Sequence, residues 1–183
     1  MTETDAATTT RVDERVVLLD DEGVAIGTAA KSDVHTEATP LHLAFSCHVR
    51  NAAGEVLITR RALSKRTWPG VWTNSFCGHP QPGEDMAGAI RRRAEFELGV
   101  VVGDIELVVP DFRYRAVDAS GLVENEICPV FTATLEGDPV PRPDEVAQWV
   151  WADPTDLVGA VRATPWAFSP WLALQLERLD VPA

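Results

Sequence analysis

The chain has 183 residues, 45% of them apolar, and a formal charge of −12. That length and composition suit one globular domain with a substantial core, while the charge disfavours nucleic acid and anionic membrane as partners, because both repel an acidic surface. No apolar run approaches the roughly 20 residues that span a bilayer, and MTETDAATTT lacks the basic start and apolar core of a signal peptide, so a soluble, cytoplasmic protein is expected.

Residues 1–12, rich in Thr, Ala and acid and without periodicity, read as a disordered lead, with a single domain over 13–183 whose fold begins near Val16. LHLAFSCHV (41–49) alternates: Leu41, Leu43, Phe45, Cys47 and Val49 share one side, and His42, Ala44, Ser46 and His48 the other, which predicts a strand. A turn over 51–54 returns the chain as the partner strand EVLITR (55–60). Residues 84–98 predict a helix, with Gly83 before it, Gly99 ending it, and Ala87, Ile90, Ala94 and Leu98 as its apolar stripe. FRYRAV (112–117) and ENEICPVFTATL (124–135) read as a strand pair joined by the turn 118–121. VAQWVWA (146–152) is a further short strand, followed by a helix over 154–161. SPWLALQLERL closes the chain as a helix capped by Ser169 with Pro170 in its first turn. Strands outnumber helices, and helices interrupt a mainly hairpin-built sheet, which predicts an α/β or α+β sandwich.

Three cysteines, Cys47, Cys77 and Cys128, show no paired spacing and are expected as free thiols in a reducing compartment. Seven of the 16 basic residues fall in two blocks, RRALSKR (60–66) and RRR (91–93), on either side of the turn FCGHP. Taken alone such blocks fit solvated surface; in an acidic chain they also fit a small-anion site.

Four histidines stand out. His35 lies in a loop, His42 on the less apolar side of its strand and His79 in the turn, whereas His48 sits six residues beyond His42. Glu124 and Glu126, two apart on a strand, project from one face. Three imidazoles and two carboxylates suit an octahedral site for Mn²⁺ or Mg²⁺, with Zn²⁺ a less natural fit at that coordination number. Each histidine alone also fits a surface or hydrogen-bonded residue, and spacing does not decide between the two.

GHPQPGEDMAGAIRRRAEFELGV (78–100) is similar to the Nudix frame at Gly78, Glu84, Arg92, Glu97, Gly99 and Val100, with Arg93 and Phe96 where a Nudix hydrolase keeps two further Glu. Those carboxylates gather the Mg²⁺ ions that activate water against a diphosphate. Glu97, alone on the core face of the helix, suits one Mg²⁺ on a diphosphate without a bound attacking water.

WTNSFCGHP (72–80), DFRYRA (111–116), GLVENEICPVF (121–131) and TPWAFSPW (164–171) resemble the signatures of the type I isopentenyl-diphosphate delta-isomerases, and the likeness runs from about Val16 to the last helix. The resemblance implies a Nudix-like sandwich, a mixed β-sheet core flanked by helices. It implies interconversion of isopentenyl and dimethylallyl diphosphate, with a homoallylic or allylic diphosphate as the small-molecule partner, no nucleic acid and no membrane; a monomer is expected. The implied metal ligands are His35, His42, His79, Glu124 and Glu126, with Glu97 carrying Mg²⁺ to the substrate.

An unactivated alkene is protonated on one face to a tertiary carbocation and deprotonated from the other, which requires two acid/base groups. The resemblance supplies Cys77 as one and Glu126, assisted by Tyr114, as the other. A thiol of unperturbed pKa about 8.5 exchanges protons near neutrality. Trp171 matches the cation-facing aromatic, whereas Trp166 fits a core aromatic equally well. Lys31, Arg61, Lys65 and Arg93 match the diphosphate's cations, which makes Arg93 a clamp where a hydrolase would cut. Arg60, Arg66 and Arg91 are read as surface, and His48 falls outside the pattern. Two rivals stand beside this reading: a Nudix diphosphate hydrolase, disfavoured by Arg93 and Phe96, and a non-catalytic metal or diphosphate module in which Cys77 and Tyr114 are incidental.

Overall fold

In the computed structural model, which describes residues 14–179, the chain forms β1 (Arg15–Leu19), β2 (Ala25–Ala30), α1 (Lys31–Val34), β3 (His42–Leu43), β4 (Phe45–Arg50), β5 (Val56–Arg61), β6 (Trp72–Thr73), β7 (Phe76–Gly78), α2 (Met86–Leu98), β8 (Gly103–Val109), β9 (Arg113–Val117), β10 (Val123–Ile127), β11 (Val130–Thr134), β12 (Val146–Ala152), α3 (Pro154–Ala163) and α4 (Pro170–Leu176). The lead expected over 1–12 lies outside the described residues. No helix among them is long and apolar enough to cross a membrane.

Two sheets result, in the orders β2-β1-β3-β10-β9 and β12-β5-β4-β11-β8, with β6 added to β5 and β7 to β4. Both are mixed, because β3 runs parallel to β10 and β4 parallel to β11. Helices cover both faces of the second sheet. Ala89, Ile90, Ala94 and Leu98 of α2 pack with Phe45, Cys47, Val49, Leu57 and Phe76. On the other face Leu172 of α4 joins Leu157 and Val161 of α3 over Val56 and Ile58. This is the expected α+β sandwich.

The long alternating stretch 41–49 is two strands rather than one. It leaves the first sheet after Leu43 and enters the second at Phe45, and 124–135 makes the same passage at Cys128 and Pro129. Pro129 has no N–H to give a ladder, yet the two segments stay side by side across the break: Ala44 N donates to Ile127 O at 2.9 Å and Ser46 N to Pro129 O at 3.1 Å. Glu126 lies opposite His42 and Thr134 opposite Arg50, the same offset before and after the passage. Periodicity could not reveal the split, because residues 44–49 are buried on both faces and alternation continues through the break.

The expected 41–60 hairpin closes only at its base, where Arg50 faces Val56. Beyond that β7 takes the edge of β4 from Phe45 to Cys47, while β5 pairs along its length with β12. Helix α2 starts two residues later than expected, because the Asp85 side chain caps it by accepting from Gly88 N at 2.9 Å. In its stripe Ala89 is fully buried while Ala87 is only half-buried. Gly99 ends it in the left-handed region at φ 66°, and a Cβ there would meet Val140 O at 2.7 Å.

Candidate active site

Glu126 stands on β10 with His42 opposite it on one neighbouring strand and Tyr114 opposite it on the other. The pleat therefore presents all three side chains on one face, with Glu124 two residues along. His79, just past β7, brings its Nε2 to 3.1 Å from Glu126 Oε1, and His42 Nε2 stands 3.4 Å from the same oxygen. His35, at the end of α1, places Nε2 2.8 Å from Glu124 Oε2. The three imidazole rings are 5.2, 5.3 and 5.9 Å apart. Ligand atoms of His35, His42, His79 and Glu126 all lie within 4.8 Å of one another, and Glu124 joins through His35.

The chemistry of this set is that of a cation site. The Pro40 carbonyl, 2.9 Å from His42 Nδ1, fixes a proton there and leaves Nε2 facing Glu126; despite burial, that carboxylate raises the His42 pKa. Four buried atoms, His35 Nε2, His42 Nε2, His79 Nδ1 and Glu124 Oε2, make no well-directed hydrogen bond among the described residues, although His35 Nε2 and Glu124 Oε2 stand 2.8 Å apart. Burial pushes His79 down to about 4, which keeps it a neutral ligand near pH 7. Burial also opposes the charge on Glu126, but its contacts with His42 and His79 hold the carboxyl well below the usual range. A divalent cation satisfies both the lone pairs and the carboxylates.

The carboxylate's other oxygen, Oε2, accepts from the Tyr114 hydroxyl at 2.9 Å. Burial beside Glu126 and Glu124 raises the Tyr114 phenol well above its usual value, so it keeps its proton. Cys77 lies on β7 opposite Ser46 of β4, with its sulfur 3.2 Å from the Ser46 hydroxyl and 3.4 Å from Asn74 Oδ1. Burial pushes this thiol up to about 12, outweighing both of those contacts. That corrects the near-neutral exchange expected of an unperturbed thiol: Cys77 rests as a protonated acid. The sulfur borders the apolar cluster of Tyr114, Phe112, Val130 and Trp171. Trp171 is buried, with its ring 5.8 Å from Tyr114 and edge-to-face with Trp68 at 5.3 Å, whereas Trp166 is 81% exposed and takes no part.

The four basic candidates divide. Arg93 is buried, donates from Nε to Glu97 at 3.0 Å, and reaches Glu14 at 3.3 Å and Glu145 at 3.6 Å. Lys31 meets Glu14 at 2.6 Å and Lys65 pairs with Glu145, so these three cations share three carboxylates, with Arg92 also 3.7 Å from Glu14. Despite burial, Arg93 and Lys65 hold the Glu97 carboxyl below its usual range. Arg61 stands apart: it donates to the Thr67 and Trp68 carbonyls and lies 5.4 Å from the Trp171 ring.

Gly78 allows this packing, because a Cβ there would stand 2.7 Å from Arg93 Cγ and 2.8 Å from Phe45 Cζ. Glu84 is taken up by a two-point pair with Arg92 at 2.8 and 2.7 Å, and Arg92 also donates to His79 O at 3.1 Å. This Glu84–Arg92 pair thus braces the turn that carries His79. The Arg93 and Arg142 guanidiniums each lie over the Phe96 ring, 4.8 and 4.5 Å from its centroid. Arg66 and Arg91 are exposed, and Arg60 is half-buried. His48 points elsewhere, its Nε2 2.9 Å from Gln175 Oε1.

Sequence reasoning missed Thr67, whose hydroxyl donates to Glu124 Oε1 at 2.9 Å, together with Trp68, Asn74, Ser46, Glu14 and Glu145. A Thr, Ser or Asn in a loop or strand carries no spacing signal. Asn74 lies inside WTNSFCGHP, the segment that also carries Cys77 and His79.

A two-sheet sandwich with a Gly78–Val100 loop and helix defines a Nudix domain, and the model of the NUDIX domain family matches residues 40–172. Solved structures agree on the fold. A Deinococcus radiodurans protein superposes with a TM-score of 0.73 at 22% identity, covering 92% of this chain and 100% of its own. A MutT protein from Methanosarcina mazei gives 0.60 at 22%, covering 77% and 94%. Two relatives named isopentenyl-diphosphate Delta-isomerase are far closer in sequence. The one from Clavibacter sepedonicus is 64% identical over 166 residues, 91% of this chain and 87% of its own. The one from Kocuria rhizophila is 63% identical over 164 residues, 90% and 91%. The chain belongs to the isopentenyl-diphosphate Delta-isomerase family of Nudix proteins.

Proposed function

We propose that the protein interconverts isopentenyl diphosphate and dimethylallyl diphosphate by proton transfer through a tertiary carbocation. The observation that carries this reading is the pairing, around one apolar cluster, of a protonated thiol, Cys77, with a phenol bound to a carboxylate, Tyr114 on Glu126. One side gives a proton to the terminal alkene carbon and the other takes one from the carbon nearer the oxygen, so the double bond moves with no net proton change. Because each group ends in the state from which the reverse reaction starts, the same pair serves both directions.

Trp171 turns an aromatic face to the carbocation, worth about 2 kcal/mol or more once water is excluded. Lys31, Lys65 and Arg93 bind the diphosphate, with Arg61 at the Trp171 end of the site. Substrate oxygens replace the carboxylates of Glu14 and Glu145 as partners of these cations. His35, His42, His79, Glu124 and Glu126 would hold Mn²⁺ or Mg²⁺, and Glu97 a Mg²⁺ on the diphosphate; bound there, these ions supply fixed positive charge that keeps Glu126 ionised and neutralises the phosphates. Hydrolysis is disfavoured because the α2 face offers Glu97 alone, with Arg93 and Phe96 beside it.

Incubation with isopentenyl diphosphate and Mg²⁺ in D₂O, followed by NMR, tests the reading. Dimethylallyl diphosphate carrying deuterium, absent with Cys77→Ala, is expected; release of inorganic phosphate from the wild-type protein would overturn it.

A further inference from the structure

We propose that Asn74 is a positioning residue for this chemistry: its side-chain oxygen pins the Cys77 thiol and the Trp171 indole to one point, fixing the proton-transferring group relative to the cation-facing ring. The inference rests on the isomerase reading above.

Asn74 is fully buried between β6 and β7. Its Nδ2 donates to two backbone carbonyls, Phe76 O at 2.8 Å and Cys47 O at 3.1 Å, and those contacts determine which end of the amide is oxygen. The oxygen accepts from Trp171 Nε1 at 3.0 Å, from the Thr73 hydroxyl at 3.0 Å and from Cys77 Sγ at 3.4 Å. A buried indole N–H needs such a partner. Thr73 also meets Ser169 Oγ at 2.8 Å, the cap of α4, so the helix bearing Trp171 is tied to the same spot as its ring.

The sulfur is held from its other side too. Gln175 of α4 accepts from His48 Nε2 at 2.9 Å and donates from its own Nε2 to Ser46 Oγ at 2.7 Å. Ser46, having accepted, directs its own proton to a sulfur, Cys77 at 3.2 Å or Cys128 at 3.4 Å. Cys77 thus sits between two side chains that are each anchored to α4; Lys31, Lys65 and Arg93 take no part in that network, and Arg61 borders it at 5.4 Å from the Trp171 ring. Binding of the diphosphate by Lys31, Lys65 and Arg93 is therefore separable from the geometry of the proton transfer.

The test is Asn74→Leu, with Trp171→Phe as companion because it removes the indole N–H and keeps a ring. Misplacing a reactive group by about 1 Å costs on the order of 100-fold. Asn74→Leu is expected to lower kcat by that factor with KM for isopentenyl diphosphate changed less than threefold, and Trp171→Phe to lower kcat about tenfold with the same unchanged KM. In the double variant the losses do not multiply, because both substitutions break one arrangement. A folded Asn74→Leu with kcat within threefold of wild type overturns the proposal, as do losses that multiply. Where Asn74→Leu does not fold, Asn74→Ser takes its place, and a kcat within threefold of wild type overturns the proposal. Wild-type protein that turns over no isopentenyl diphosphate is instead a failure of the isomerase reading itself.

Discussion

Removing divalent metal should lower the melting temperature by a large and calculable amount. Four buried polar atoms of the His-Glu cluster make no well-directed hydrogen bond among the described residues. Each such group costs about 1–3 kcal/mol; the contacts of His35 Nε2 with Glu124 Oε2 at 2.8 Å and of His42 Nε2 with Glu126 Oε1 at 3.4 Å offset part of the resulting sum of roughly 4–12 kcal/mol, which stands against a domain's total stability of about 5–15 kcal/mol. A cation present at a thousandfold excess over its Kd returns about 4 kcal/mol. At about 2–4 °C per kcal/mol for a chain of this size, Tm should rise by roughly 8–16 °C. Scanning calorimetry on protein dialysed against EDTA, then supplied separately with Mn²⁺, Mg²⁺ or Zn²⁺, reads this directly. His42→Ala and His35→Ala should abolish the rise. If no ion raises Tm, or both variants respond as wild type does, the cluster is not a metal site.

Other consequences concern single side chains. Gly78→Ala forces a methyl into the 2.7 Å space beneath Arg93; overpacking of this kind costs about 1–3 kcal/mol, and KM for the diphosphate should rise about tenfold as Arg93 shifts, so an unchanged KM in steady-state kinetics would contradict the role given to Arg93. Cys77, held up at about 12 by burial, should react with iodoacetamide at a rate that climbs about tenfold per pH unit from 7 to 9 without a plateau. Peptide mapping that finds the label on buried Cys47 or Cys128 instead would count against this. His48 is pushed down by burial to about 4. Because the unfolded chain then binds the proton first, the stability due to neutral His48 is complete above about pH 6.5 and drains away as pH falls toward 4, by on the order of 3 kcal/mol. A His48→Gln protein melted across that range should show a flatter dependence than wild type; identical slopes would refute it.

Much of the site was legible because its chemistry is concentrated in rare residues and short turns. Glu124 and Glu126 share a face by the two-residue period of any strand, and Gly99 marks a helix end through its backbone conformation, whereas the Asp85 cap at the other end went unread. Recognition of the family supplied the rest of the ligand set, which spacing alone left undecided. What stayed hidden depends on pairing between distant strands. Nothing local says that 41–49 and 124–135 each cross between sheets, or that β7 displaces β5 from most of β4. Ser46 and Thr67 gain their roles only from neighbours 31 and 57 positions away. Strand β2, with its AIGTAA, and strand β8, with exposed Leu107 and Val108, bury too little to announce themselves by alternation.

The paired strands that pass together from one sheet to the other set a limit on how this protein can change over time. Their upstream halves carry His42 and Glu126; a downstream half carries Ser46, which meets the sulfur of Cys77 on β7. Losing or gaining one residue in either strand would turn every later side chain to the opposite face, separating Glu126 from the Ser46 hydroxyl that meets the Cys77 sulfur. Length variation among descendants should therefore accumulate in the surrounding loops, while these two segments drift by substitution alone.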